Sequence, residues 1–449
     1  MGGGFVSISD IEMKGNSLRI RFHAKGRVAR FFKKKELNVE YGVERLEVPY
    51  WITSLPLIAN ILPLVWAMDA QLDIDTLDEQ STRSFKALQE VFRQSYPNIV
   101  WNGSLRVGDV VDTELSDSGM PQSKKSLVFF SGGVDSLATY FRHKEENPAL
   151  ITVWGADCDP WNMTAWDHIW SHTKAFAGRM ETKAFWIRSD FKDLLDYRRV
   201  DLRFKSVLNR SWWGAVQHAL GLIGLGIPLA HTLKINKIYL GAGWWQTANY
   251  FDATSWGAYF KPRFGQCDAI IDGWELTRQE KVRLLVSRLA SPIEIRVCWQ
   301  SPTGKNCGRC EKCSRTILAL EIEGADPNLY GFRVDGSTFA NIKSHLEKGS
   351  WLSDPSVQEL WGDIQKSIQL KSSLKLPHKG ATQLVKWLLK FDMGTSNRKS
   401  TLSAKIVEHI SSYLAISPQP LFETVCFLHN LLKHLKETIQ QIFSSEEGM

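Results

Sequence analysis

The stretch that decides the fold is Leu127-Val128-Phe129-Phe130-Ser131-Gly132-Gly133-Val134-Asp135-Ser136, which continues as Leu137-Ala138-Thr139-Tyr140-Phe141. Its first four residues are apolar and predict a short buried strand, and residues 135–142 have the apolar spacing of a helix. Glycines between a strand and a helix permit positive φ angles and let backbone N–H groups approach an anion, to which the helix N-terminus adds its partial positive charge. The sequence therefore predicts a phosphate-binding loop.

The side chains of this loop suit a phosphate ligand. Ser131 and Ser136 can donate hydroxyl hydrogen bonds, and Asp135 can cap the helix or hold a Mg²⁺ ion. The loop is not a Walker A motif, because no Gly-Lys-Ser/Thr follows at the required spacing. The alternative is a glycine turn that binds no ligand. The residues predicted to bind the phosphates are Ser131, Gly132, Gly133, Val134, Asp135 and Ser136.

Strands and helices alternate after residue 125. Strands are predicted at 150–154, 184–187 and 238–241, and helices at 161–180 and 211–225. Repeated βα units form a doubly wound parallel sheet, which binds ligands at the carboxyl ends of its strands. This rule brings the phosphate loop together with two others, Gly155–Asp157 and Gly241–Trp245.

Further candidates lie around these loops. Gly241 ends a predicted strand and is expected to line the site. Arg210 could hold a phosphate or carboxylate in its planar guanidinium fork, or could be an ordinary surface arginine. Trp244 and Trp245 could stack on a flat base, although core packing is the alternative for both.

Seven cysteines are present, and four of them follow the pattern C-x8-C-x2-C-x2-C. The four are Cys298, Cys307, Cys310 and Cys313. Two overlapping C-x-x-C turns and one preceding cysteine can surround a tetrahedral Zn²⁺, which then has no open position and is structural. An iron–sulfur cluster is the competing interpretation. Lys305, Arg309 and Lys312 are expected to offset the thiolate charge.

Composition limits the class of protein. A net charge of +7 over 449 residues is mild and argues against nucleic-acid binding. The N-terminus lacks the pattern of a signal peptide, and Pro56, Asn60 and Pro63 interrupt the apolar run from 52 to 68, which therefore predicts a buried helix. We expect a cytoplasmic protein with no membrane segment.

Three domains are predicted from these patterns. Residues 1–120 form an α+β domain, with strands near 5–8, 18–22, 37–41 and 99–101 and helices at 52–68 and 81–95, closed by the polar stretch 116–123. Residues 121–334 form the α/β domain with the zinc site. Residues 335–449 form a helical region, with helices at 356–369, 380–390, 401–414 and 420–443. The last helix is either a cap on the core or a docking surface for a partner.

The loop sequence Ser-Gly-Gly-Val-Asp-Ser resembles the PP-loop of the ATP pyrophosphatase superfamily. A PP-loop followed by this cysteine pattern is the layout of the 7-cyano-7-deazaguanine synthase (QueC) family, whose domain is a HUP-like α/β fold. Leu276-Thr277-Arg278-Gln279-Glu280-Lys281-Val282 is similar to the family's Leu-Thr-Lys-x-Glu-Ile-Val, and Arg210 stands where the family has an Arg-Asn pair. The resemblance covers about 125–325.

The chain departs from the family in several places. Gly155–Asp157 replaces the family's Tyr-Gly-Gln, Ser211 replaces its Asn, and a Trp-rich segment replaces a further motif. Typical members lack the regions before 120 and after 335. QueC-like proteins with such extensions occur in anti-phage defence operons.

The resemblance implies an AMP-forming ligase that uses ATP and Mg²⁺. A carboxylate, 7-carboxy-7-deazaguanine in the family, attacks the α-phosphate, pyrophosphate leaves, and an amine displaces AMP. Asp135, Ser136 and Arg210 would be the catalytic residues. The amine is ammonia, which leads to an amide or nitrile, or a protein amine recruited through an extension. The alternatives are a tRNA-modifying PP-loop enzyme and a non-catalytic nucleotide-binding subunit of a larger assembly.

Overall fold

The computed structural model describes residues 3–112, 125–248, 251–289 and 291–393. Eleven strands form one sheet within these residues. In chain order they are β1 (Gly4–Lys14), β2 (Ser17–Lys25), β3 (Glu36–Tyr41), β4 (Ala70–Asp78), β5 (Ser104–Val111), β6 (Leu127–Phe129), β7 (Ala149–Trp154), β8 (Ala184–Ser189), β9 (Lys237–Gly241), β10 (Arg263–Phe264) and β11 (Cys267–Asp272).

Twelve α-helices accompany the sheet in the described part of the chain. They are α1 (Tyr50–Thr53), α2 (Leu55–Ala67), α3 (Glu79–Ser95), α4 (Val134–Arg142), α5 (Met163–Arg179), α6 (Tyr197–Leu208), α7 (His218–Thr232), α8 (Arg278–Arg288), α9 (Glu311–Ile322), α10 (Thr338–Glu347), α11 (Pro355–Gln369) and α12 (Lys379–Leu388). A π-helical turn, Trp213–Gln217, leads into α7.

The sheet order is β10-β11-β9-β6-β7-β8-β3-β2-β1-β4-β5. Strands β11, β9, β6, β7 and β8 are parallel to one another, so the predicted α/β fold with a mostly parallel sheet is confirmed. The chain runs outward from β6 through β7 to β8 and then returns to place β9 on the other side of β6. This reversal is a topological switch point, where the loops after adjacent strands diverge and leave a crevice.

The same sheet continues into the N-terminal region. Strand β3 pairs antiparallel with β8 in the register Val39↔Ser189, which joins residues predicted for the first domain to the α/β domain. The cores are shared as well, because α2 packs against α7. Asn60 of α2 accepts a 3.0 Å hydrogen bond from the side chain of Gln217 and donates a 3.3 Å bond to the carbonyl of Gly221.

Several expectations about individual elements were wrong. Residues 99–101 are not a strand, since Ile99 and Trp101 are buried side chains of a loop. The strand in this region is β5, which begins at Ser104. Six further elements were not predicted, namely β4, β10, β11, α6, α8 and α10. The polar stretch 116–123 and the helices predicted at 401–414 and 420–443 lie outside the described residues.

Helices α8 to α12 enclose a second core. Gln279 of α8 donates side-chain hydrogen bonds to the carbonyl of Ala319 and to Glu323, and its backbone N–H donates to Asp363 of α11. His378 contacts the buried Glu321 of α9, with Nδ1 and Oε1 2.5 Å apart. The described part of the predicted C-terminal region therefore packs directly on the helices that follow the sheet.

One helix in the described residues, Trp213–Thr232, is long and apolar enough to cross a membrane by length and composition. However, 83% of its 18-residue apolar window is buried inside the protein, and a buried core helix passes the same test of length and composition. The predicted buried helix at 52–68 is observed as α1 and α2, and it covers α7.

The contact between α2 and α7 requires a small residue, and this requirement can be tested. A Cβ on Gly224 would lie 2.3 Å from the Cβ of Ala59, whereas one on the exposed Gly178 of α5 would meet nothing within 4 Å. We expect Gly224→Ala to lower the free energy of unfolding by about 1–3 kcal/mol through overpacking. Gly178→Ala should raise it by about 0.5–1 kcal/mol through helix propensity. Urea unfolding measures both, and equal effects would contradict the packing argument.

Candidate functional site

A cleft of about 260 Å³ lies at the carboxyl ends of β6, β7 and β9. Its polar lining includes Ser131, Asp135, Ser136, Asp157, His218, Gly241, Asp252, Thr254, Arg296 and Lys312. Cavities of about 230 and 180 Å³ adjoin it, and Asp157 lines all three. The structure therefore brings the three predicted loops to one cleft, at the switch point of the sheet.

The predicted phosphate loop has the expected backbone geometry. Gly132 has a φ of +75°, and α4 begins immediately after Gly133, which is its N-cap and offers no side chain. The hydroxyl groups of Ser131 and Ser136 lie 3.3 Å apart, and that of Ser136 also donates to the carbonyl of Gly133. The first N–H groups of a helix have no acceptor within the helix, so those of α4 are available to an anion.

Glycine is required at position 132 for a second reason. A Cβ there would lie 2.5 Å from Cε1 of His172, a histidine on α5 that the sequence analysis did not single out. The Nε2 atom of His172 lies 2.9 Å from the carbonyl of Glu294 and donates to it, and burial lowers the pKa of the imidazole. His172 is therefore a neutral support beneath the loop.

Gly241 approaches the loop from the neighbouring strand. A Cβ on Gly241 would lie 2.9 Å from the carbonyl carbon and oxygen of Asp135. The end of β9 therefore lies against the first turn of α4, and Gly241 lines the cleft as predicted from its place at the strand end.

Asp135 does not cap the helix, which corrects one of its two expected roles. Its carboxylate is ion-paired with Arg278 and lies 3.3 Å from Nζ of Lys281, and both cations come from α8. Burial alone would raise the pKa of Asp135, but the positive charges of Arg278 and Lys281 outweigh burial and lower this pKa to about 2. Both carboxylate oxygens therefore contact cations.

The segment that precedes Cys298, the first cysteine of the metal cluster, also contacts the phosphate loop. The backbone N–H of Arg296 donates to the carbonyl of Gly132 at 2.8 Å, and its Nε donates to the carbonyl of Ser131 at 2.9 Å. Its second guanidinium nitrogen contacts Asp157 at 3.0 Å, and the positive charge keeps the pKa of Asp157 low despite burial. Arg296 therefore connects the phosphate loop to the loop after β7.

Lys312 lies on the cleft side of the first turn of α9, where it lines the cleft. The sequence analysis expected Lys312 to offset the thiolates and did not predict its place at the cleft. Burial, reinforced by the charge of Arg278, lowers the pKa of its ammonium group. No carboxylate of the described residues lies within ion-pair distance of that group.

The far end of the cleft is built around Asp252. One of its oxygens accepts hydrogen bonds from the backbone and the hydroxyl of Thr254, at 2.8 and 2.6 Å. Its other oxygen lies 4.0 Å from Arg210, which is not itself among the residues that line the cleft. The guanidinium of Arg210 also lies 5.6 Å from the ring centre of Trp244, which is buried and stacks on Trp245. Core packing therefore accounts for Trp244.

The four predicted metal ligands form one cluster. The sulfur atoms of Cys298, Cys307, Cys310 and Cys313 all lie within 4.8 Å of one another. The Cys298–Cys310 and Cys307–Cys313 sulfur pairs are each 3.9 Å apart. A tetrahedral site with Zn–S bonds of about 2.3 Å has sulfur–sulfur edges of about 3.8 Å, so the cluster is compatible with Zn²⁺.

Asn306 fixes the shape of the metal loop. Its side-chain oxygen accepts from the backbone N–H groups of Val297 and Cys298, and its amide nitrogen donates to the carbonyl of Ile295 at 2.7 Å. Gly308 has a φ of +73° in the turn between Cys307 and Cys310, as the tight turn requires. The same segment therefore carries a metal ligand and, two residues earlier, Arg296.

The residues that sequence analysis missed are those that are distant in sequence from the loop. The fold brings four of them against the phosphate loop, Arg278, Lys281, His172 and Arg296. It places the other two, His218 and Asp252, in the lining of the same cleft. The segment that resembles the family motif contains Arg278 and Lys281, but the apolar periodicity of a sequence does not mark an arginine or a lysine as a site residue.

Comparison with protein-family models, with curated proteins and with solved structures found no match to this chain.

The metal centre leads to a direct prediction. We expect about one Zn²⁺ ion per chain, and we expect its removal by a chelator to lower the melting temperature by on the order of 10 °C, because the metal closes the loop. Cys310→Ser should abolish the metal content measured by elemental analysis. Cys158→Ser, at a cysteine outside the cluster, is the matched control. An absorption spectrum with charge-transfer bands would indicate iron instead.

The ion pairs of Asp135 lead to a prediction about pH. Because the folded-state pKa of about 2 is below the ordinary 3.8, the stability due to the ionised carboxylate is complete above about pH 5 and is lost as the pH falls toward 2. Asp135→Asn should cost about 3–5 kcal/mol at pH 7, because it leaves buried cations without a counter-charge. The difference from wild type should shrink below about pH 4.

Chemical unfolding at several pH values measures this difference. Asp268→Asn is the control, because Asp268 pairs with Arg263 at the surface, at 3.4 Å. That substitution should cost less than about 1 kcal/mol. A difference between Asp135→Asn and wild type that stays constant from pH 7 to pH 3 would contradict the assignment.

Proposed function

We propose that this protein is an AMP-forming ligase that binds ATP in the cleft and activates a carboxylate as an acyl-adenylate. One observation carries the proposal: a Ser-Gly-Gly loop leads into the N-terminus of α4 at the switch point of a parallel sheet, with Arg296 and Lys312 at the same cleft. Such a site concentrates N–H donors and positive charge on a bound phosphate.

Ser131, Gly132, Gly133, Val134 and Ser136 would hold the phosphates through hydroxyl and backbone N–H groups. Asp135 would orient the loop through its contacts with Arg278 and Lys281. The Mg²⁺ ion would enter with the phosphates, which is how Mg²⁺ usually reaches nucleotide sites, and would neutralise their charge. The zinc centre would have a structural role, since four thiolates leave no open position.

The chemistry needs little beyond positioning. A carboxylate oxygen attacks the α-phosphorus, and the bond to the bridging oxygen breaks, so that pyrophosphate leaves. An amine then forms a C–N bond with the acyl carbon, loses a proton and displaces AMP. Positive groups that face the developing charge lower both barriers. Arg210, beside Asp252, would bind the carboxylate substrate.

The resemblance in sequence makes 7-carboxy-7-deazaguanine the proposed carboxylate. It also supports a role in anti-phage defence, with ammonia or a protein as the amine and a partner that contacts one of the extensions. The proposal assigns the reaction to the cytoplasm, where ATP is available.

A second candidate is a nucleotide-binding subunit without catalysis. The observation that favours it is that both oxygens of Asp135 contact cations, so this carboxylate is not free to bind a metal ion. This candidate predicts ATP binding with no release of pyrophosphate.

The test is the release of AMP and pyrophosphate from ATP by the pure protein, with and without 7-carboxy-7-deazaguanine. We expect release that depends on the carboxylate, followed by a mass gain on the amine acceptor. Ser131→Ala with Ser136→Ala should reduce kcat/KM on the order of a hundredfold, because both hydroxyls are donors at the phosphates.

Ser353→Ala is the matched control, since Ser353 is exposed and lies outside the cleft. ATP binding without any turnover, with each carboxylate and amine tried, would favour the non-catalytic candidate. No ATP binding at all would rule out both.

A further inference from the structure

Lys312 lines the same cleft as the carboxylates of Asp135 and Asp157, and its ammonium group forms an ion pair with neither. Its charge acts on both Asp135 and Asp157, yet each of these already has an arginine partner, Arg278 and Arg296 respectively. Among the described residues no hydrogen bond from this ammonium is found either. A cation in a cleft without a partner is costly unless an anion joins it.

The position of Lys312 in the chain explains how it is held there. Cys310 is the N-cap of α9, and Cys313 lies in its first turn, so Lys312 stands between two metal ligands. Glu311, the other residue between them, is turned to Arg315, with the two side chains 2.7 Å apart. The cysteine cluster therefore brackets the helix turn on which Lys312 lines the cleft.

The anion that this geometry fits is small and multiply charged. Lys312, the hydroxyls of Ser131 and Ser136, and the N-terminus of α4 all face one cleft. Arg296 already contacts the Ser131 carbonyl and the Asp157 carboxylate. Lys312 differs from it, because no carboxylate of the described residues lies within ion-pair distance of the Lys312 ammonium. A lysine ammonium is a compact point charge with three donors and can contact a phosphate from several directions.

We propose that Lys312 is the residue that binds the pyrophosphate portion of the nucleotide, and that the cysteine metal centre positions it. This inference rests on the proposed function, because it assigns the β- and γ-phosphates to that site. On this inference the metal has a second effect. By fixing the first turn of α9, the metal determines where the Lys312 charge lies in the cleft.

The experiment compares the binding of pyrophosphate, ATP and adenosine to wild type and three variants by calorimetry. Lys312→Gln should weaken the binding of pyrophosphate and of ATP at least tenfold and leave adenosine binding unchanged. Lys312→Arg should restore part of the loss. Lys305→Gln is the matched control: it removes the same charge from an exposed position in the same metal loop, and its affinities should equal those of wild type.

The metal content of each variant is measured alongside. Equal pyrophosphate affinity in wild type and Lys312→Gln would overturn the assignment, and so would a loss of metal in Lys312→Gln, because the residue would then serve the metal loop. Wild-type protein that binds pyrophosphate but not ATP would contradict the proposed function and leave the role of Lys312 intact. If Lys312→Gln leaves ATP binding unchanged, the role of Lys312 is contradicted and the proposed function stands.

Discussion

Arg296 holds together two of the three loops that build the site, the phosphate loop and the loop after β7. Its backbone N–H and its guanidinium bind the two carbonyls of Ser131 and Gly132, and the guanidinium also binds Asp157. Both carbonyl oxygens are thereby hydrogen-bonded, that of Ser131 to the guanidinium and that of Gly132 to the backbone N–H. The N–H groups of Ser131 and Gly133 donate to the hydroxyls of Ser136 and Ser131, so the first turn of α4 supplies the N–H groups for an anion. Since Arg296 lies two residues before Cys298, the shape of this loop also depends on the metal segment.

The second constraint is the burial of Asp135. A carboxylate in this position is compatible with folding only because α8 brings Arg278 and Lys281 to it. Helix α8 in turn is held by α9 and α11, where Gln279 contacts Glu323 and Asp363. The C-terminal helices thus contribute to the first turn of α4 although they are far from it in sequence. This dependence explains why the described helices after residue 335 share a core with the α/β sheet.

The sequence predicted the features that are local and left out those that arise from packing. An apolar run followed by Ser-Gly-Gly predicts a strand, a turn and a helix, because each step depends on neighbouring residues. Cysteine spacing likewise predicts a metal cluster, since ligand geometry restricts the spacing. By contrast, nothing local distinguishes His172 or Arg296 from any other histidine or arginine. The pairing of β3 with β8 is also invisible in a pattern of alternating residues, which gives strands but not their neighbours.

The arrangement of charge supports the proposed small anion over a polymer. The net charge of +7 belongs to a chain of 449 residues, and the cations that line the cleft are Arg296, which is paired with Asp157, and Lys312. A polyanion such as tRNA needs several exposed cations along a surface, because its affinity grows with the number of phosphates contacted. In the cleft, Asp135 and Asp157 each have an arginine partner, and the Lys312 ammonium and the N-terminus of α4 remain. This arrangement matches a ligand with a few charges concentrated in one place. A triphosphate has this distribution of charge, and a nucleic-acid backbone does not.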